Sequence, residues 1–188
     1  MEYYPQGGNS LTPPPNLGRR QQIFQIWIRP VEPRNGLFAL RAALYEYDRF
    51  VSDGVSREDF EATRSFLTKY TGVLTQTQSL LLGYALDSRY YGIPGYNTYM
   101  RSELSKLTAD DVNRAIRRYL KSDGMRIVIV ARDAAALREA ILRGAPSPIT
   151  YNSPKKKEIL DEDKRIQSYK IDVTASNVVV RPVEELFQ

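Results

Sequence analysis

With no histidine and no cysteine among its 188 residues, this chain must do any chemistry with carboxylates, hydroxyls and basic side chains. The zinc sites that proteins commonly build need imidazole or thiolate ligands, so none can be assembled from this sequence. Ser-His and Cys-His nucleophile pairs are excluded for the same reason, as are disulfides. A hard cation would need a site made of carboxylates alone, and the D-x-D-x-D-G pattern of a calcium loop is absent. What remains is a set of surface candidates. The foremost is "SRYYGIPGY" at 88–96, where Tyr90 and Tyr91 sit beside glycines and a proline. Tyrosine brings large contact area at small entropic cost, so this pair could touch a peptide or a facing protein. The alternative is that the two rings fill a gap between helices. "KKKEILDEDK" could dock on a partner, or be a solvated segment. Trp27 lies in a strand-like run and is expected in the core.

The net charge of +5 raises the question of a polyanionic partner. The basic residues Arg19, Arg20, Arg29, Arg34, Arg117, Arg118 and Lys155–Lys157 are spread along the chain. No helical face is expected to collect them, so they read as solvated surface with one basic loop. An RNA-binding reading would rest on "RRQQIFQIWIR", but its aromatics alternate with isoleucine as core residues do, and no RNP-like signature follows. Nucleic acid is therefore not an expected partner. No apolar stretch reaches the roughly 20 residues that span a bilayer, and the first 20 residues lack the basic and apolar regions of a signal peptide.

The elements that must position these side chains follow from periodicity and punctuation. Residues 1–20 read as a strand remnant, "EYYP", and a Pro/Gly-rich loop. "QQIFQIWIR" (21–29) reads as a strand. Leu37, Leu40, Leu44, Tyr47 and Val51 form one helical stripe, closed by "SDG" with Gly54 in a left-handed cap. Ser56 and Asp59 cap the next helix. That helix runs long, with a bend or break expected between 71 and 76 near Gly72. A short helix in "NTYMRSELSKL" follows the Tyr-Gly loop. Thr108 and Asp111 repeat the cap signal, and Val112, Ala115, Ile116, Tyr119 and Leu120 are placed inward. "MRIVIVAR" (125–132) reads as a strand, and Asp133 caps a helix holding Leu137 and Ile141. A loop, a polar helix in "KEILDEDKRIQSY" and a strand in "NVVVRPVEELF" end the chain. This order predicts an α+β domain with helices stacked on one face of a small sheet. Its parts are 1–20, a helix-rich domain over 21–145, and an extended tail over 146–188.

The segments "GVSREDFEATRSFLTKY", Tyr90–Gly92 and "LSKLTADDVNRAIRRYL", with the run Ile127–Val130, resemble in order and spacing the C-terminal domain of the pitrilysin/insulinase-type zinc metallopeptidases. The resemblance covers about residues 20–145, and the tail is similar to that of a bacterial branch. It implies a pitrilysin/LuxS-like half-domain, in a protein whose two halves close around a peptide chamber. The family's zinc motif, H-x-x-E-H with a further Glu, belongs to the N-terminal half, so zinc is expected there and no cofactor in this chain. The family's substrate-holding Arg and Tyr, in a motif like L-R-x-x-x-x-L-x-Y, have no counterpart here, and Tyr3 and Tyr4 do not inherit those roles. The implied role is a non-catalytic wall, N-terminally truncated. Its partners would be an N-terminal catalytic half or partner subunit and a peptide substrate, in a bacterial cell envelope. A catalytically silent scaffold for an active subunit is the alternative.

Overall fold

The computed structural model describes residues 24–185 together with Pro15. Seven α-helices follow one another among them: α1 (Gly36–Asp53), α2 (Arg57–Val73), α3 (Gln78–Tyr91), α4 (Tyr96–Lys106), α5 (Ala109–Tyr119), α6 (Ala134–Arg143) and α7 (Lys157–Ile166). Short 3-10 turns cover Pro33–Asn35 and Val183–Glu185. The described residues divide into two compact units, one of 53–120 with Pro15 and 24–25, the other of 26–52 with 121–185.

The first unit is built from locally specified helices. Ser56 Oγ accepts the amide of Asp59 at 3.0 Å, and its hydroxyl reaches the Asp59 carboxylate at 2.6 Å, which satisfies donors left free at the start of α2. Thr108 and Asp111 go further and form a reciprocal capping box at α5. The break between α2 and α3 falls at 74–77, where Thr77 caps α3 through the amide of Leu80. Gly72 itself stays within the last turns of α2. α2 packs on α4 and α5, and α3 packs on α4. Phe60, Tyr84, Leu104 and Ile116 are buried there. Gly54 adopts a left-handed φ of 72°. A Cβ at this position would lie 2.3 Å from Asn113 Oδ1, because Asn113 brackets Val55 by accepting its amide at 2.8 Å and donating to its carbonyl at 3.1 Å. The second "SDG", at 122–124, does not repeat this geometry, since the positive-φ glycines are Gly54, Gly92 and Gly144.

The second unit is centred on α1. The expected stripe is present: Leu37, Leu40 and Tyr47 are buried, joined by Phe38 and by Arg41. Arg41 is only 2% exposed. Its Nη1 donates to Ala145 O and Ser147 Oγ, each at 2.9 Å, and to Gln167 O. Tyr169 donates to the Asp48 carboxylate and sets its ring edge-on against Tyr45. Arg49 pairs with Glu162 at 2.7 Å. Residues 145–169 are thus tied to α1. Arg138 on α6 holds the carbonyls of Val178 and Ala175 in the same unit.

The small sheet of the predicted α+β fold is not found among the described residues: no strand occurs in them, and the pitrilysin/LuxS-like half-domain expected from the resemblance does not fit their all-helical structure. The run at 125–131 is neither helical nor in a ladder. Exposure alternates along it, with Ile127 and Ile129 at 43% and Val128 and Val130 at 89%. That is the period of an extended chain. Between Arg126 and Arg132 no backbone hydrogen bond is made with a described residue. β-branched residues favour the extended conformation locally, but a sheet needs a neighbour, and the described residues supply none. Residues 24–29 and 178–182 likewise form no strand. The remaining positions of the two outer runs, 21–23 and 186–187, lie outside the described residues, as does the remnant "EYYP" at 2–5. Trp27, expected in the core, is 69% exposed.

Candidate functional site

Tyr90 and Tyr91 belong to the last turn of α3 rather than to a loop, and Gly92 terminates the helix with φ 65°. Their rings meet edge to face, with centroids 5.0 Å apart. Tyr90 is 82% exposed and Tyr91 is also exposed, so neither fills a gap. The filling between α3 and α4 is done instead by Tyr84 and Tyr96, stacked at 4.1 Å.

A shallow polar groove of about 360 Å³ lies in the first unit where α2 crosses α4. The spacing 61, 64, 68 on α2 places Glu61, Arg64 and Thr68 on one helical face, with Lys69 beside them, and positions 101 and 105 do the same on α4. The groove is lined by these side chains, Arg101 and Ser105 among them. Arg64 is paired with Glu61 and also donates to Leu107 O at 3.3 Å. Neither Lys69 nor Arg101 forms an ion pair with a described residue. The two hydroxyls are committed as donors: Thr68 Oγ1 donates to Arg64 O at 2.8 Å, and Ser105 Oγ donates to Ser102 O at 2.7 Å. What these oxygens have left to offer a visitor is acceptor capacity.

A second depression, of about 530 Å³, runs along α5 and is lined by Arg114, Ala115, Arg117, Arg118 and Tyr119. Side chains of one helix cannot wall a cleft, so this is an open face. It corrects two expectations. Tyr119 and Ala115, placed inward by periodicity, are exposed, Tyr119 by 70%. Arg114, Arg117 and Arg118 also share the face opposite the buried Ile116, so one helix does collect basic residues. The steps of three and four between them were the signal. Asp111 balances this face at its start. Hydrogen bonds from the Thr108 side chain and amide, and then Arg114, hold its carboxyl below the usual range.

The chain has no imidazole or thiolate, and among the described residues no group of three or more carboxylates converges. No helix among the described residues is long and apolar enough to cross a membrane. No family model, curated protein or solved structure matches the chain.

Proposed function

We propose that the chain is a non-catalytic wall of a peptide-handling protein of the pitrilysin/insulinase type, completed by a catalytic half that carries the zinc. The motif order at 54–64, 90–92 and 107–120 is one support. The observation that carries the reading is the open run Ile127–Val130. Four consecutive β-branched residues expose side chains and backbone groups together, which costs stability in an isolated chain and suits a surface covered by another body. Exposed Tyr90 and Tyr91 would contribute contact area to the peptide or to the facing half. The chemistry would occur elsewhere. A bound metal in the other half would polarise the scissile carbonyl and lower the pKa of its water, while this chain limits which peptides fit.

The test is reconstitution. Mixed with a zinc-bearing N-terminal half of this protein type, the chain should form a complex and peptide cleavage should appear. Val128→Glu with Val130→Glu should abolish both, because charges on the buried side of a contact are costly. A chain that digests peptides unaided, or that purifies with one zinc per molecule, would overturn the reading. So would a chain that never associates.

A further inference from the structure

We infer that the α2–α4 groove is a binding site for an acidic peptide segment, through Lys69, Arg101 and the hydroxyl oxygens of Thr68 and Ser105. The inference deepens the wall reading above by naming a ligand class, and rests on it only for biological setting.

Charge is the first ground. Arg64, Lys69 and Arg101 bring three cations to one concave site, and Glu61 cancels one of them by pairing with Arg64. Two cations on opposite walls remain without a carboxylate among the described residues. Side chains of this kind recognise carboxylates and phosphates alike.

Hydrogen-bond polarity decides between those two. A phosphate oxygen only accepts, so a phosphate site surrounds its ligand with donors. Here the hydroxyl hydrogens of Thr68 and Ser105 are already given to carbonyls of their own helices. The groove therefore offers cations together with acceptors. A peptide presents the complement, carboxylates on its side chains and N–H groups on its backbone. Glu61 points the same way, since a carboxylate at the rim repels a dianion more than a single carboxylate.

Size and the fate of the flanks argue against nucleic acid. A groove of about 360 Å³ holds one or two side chains. Polyanion binding usually neutralises several phosphates in a row, whereas here the cations stop after two and Glu61 interrupts them.

The test is equilibrium binding to the full chain alone, by fluorescence anisotropy with a labelled decapeptide rich in glutamate. The peptide should bind, and a lysine-rich or uncharged peptide of equal length should not. Lys69→Glu with Arg101→Glu should weaken binding about tenfold. Both residues are exposed, so the variant should keep its helical circular dichroism, and Lys69→Gln with Arg101→Gln serves as a milder second pair. Arg117→Glu with Arg118→Glu changes net charge equally outside the groove and should leave binding within about twofold. Equal loss in the two reversals would show a net-charge effect and overturn the site. Displacement of the peptide by inorganic phosphate or an oligothymidylate at lower concentrations than glutamate would overturn the ligand class. Because no partner half is present, these results are independent of reconstitution: acidic-peptide binding without restored cleavage would leave the groove standing and sink the peptidase reading, and restored cleavage without groove selectivity would do the reverse.

Discussion

The two units reach order by different routes. In the 53–120 unit three of the four helices, α2, α3 and α5, carry their own start signals, through Ser56, Thr77 and Thr108, and the contacts that fix them are three residues away in sequence. In the other unit the decisive contacts span the chain. Arg41 reaches acceptors 104, 106 and 126 residues further on. The first unit would hold much of its structure segment by segment. The second depends on a few side chains that close long loops, whose entropic cost must be met by those contacts. It is also the unit that leaves Ile127–Val130 open. The lesson is that the locally determined unit carries the α2–α4 groove, and the unit tied over long range carries the open run at Ile127–Val130.

The comparison can be broken at Arg41. Arg41→Ala removes the side chain that donates to Ala145 O, Ser147 Oγ and Gln167 O, leaves Gln167 O with only the Ser147 amide, and empties a buried volume, at a cost of about 3 kcal/mol. Native-state hydrogen exchange should show α1 and α7 losing protection while α2–α5 keep theirs. Equal loss in both units would mean that they unfold as one. Gly54→Ala applies the reverse stress. A left-handed φ together with the Asn113 side chain in the way should cost about 2 kcal/mol, seen as a lower urea midpoint, with exchange rising first around Val55 and α5. Thr108→Ala removes one half of the capping box and should cost about 1 kcal/mol by the same measurement, confined to α5.

The smallest effect is in pH. Burial, and then the hydrogen bond to Asp48, push the Tyr169 hydroxyl up to about 12. An acid whose folded value is raised favours the fold in its neutral form. That contribution is complete below the ordinary tyrosine value near 10 and disappears as pH rises through about 12. Tyr169→Phe should flatten the alkaline limb of stability over this window, and an unchanged limb would show that the bond to Asp48 carries no weight. At the acid end the unit containing α5 responds instead. The depressed Asp111 carboxyl supports the fold above the usual carboxylate range and ceases to do so as pH falls through its lowered value.

The division between local and distant contacts also explains what was legible in the sequence. The starts of α2, α5 and α6 and the end of α1 were readable, because Ser56–Asp59, Thr108–Asp111, Asp133 and Gly54 act within a turn of themselves, whereas Thr77 at the start of α3 was passed over. The β-branched run in "RIVIVAR" announced an extended chain, which the described structure keeps, but such a run does not say whether a neighbouring strand exists. The sheet inferred from it was the error. Tyr119 was misplaced because periodicity gives the phase of a helix and not the width of its buried face: on α5 only Ile116 is fully covered. The groove was invisible for another reason. Lys69 and Arg101 are 32 positions apart, and nothing short of the α2–α4 crossing brings them together. Arg41 escaped notice because a charged residue inside a stripe looks like its polar edge.

The open run has a practical corollary. Arg126 and Arg132 flank it, so two copies aligned antiparallel about Ile129 would set Arg126 of one against Arg132 of the other at both extremities. Such gatekeepers keep sticky segments from stacking only while their repulsion is felt. Raising ionic strength shortens that reach to about 3 Å at 1 M. Purified protein that stays clear in dilute buffer should therefore scatter light as salt is added, and Val128→Lys should keep it clear.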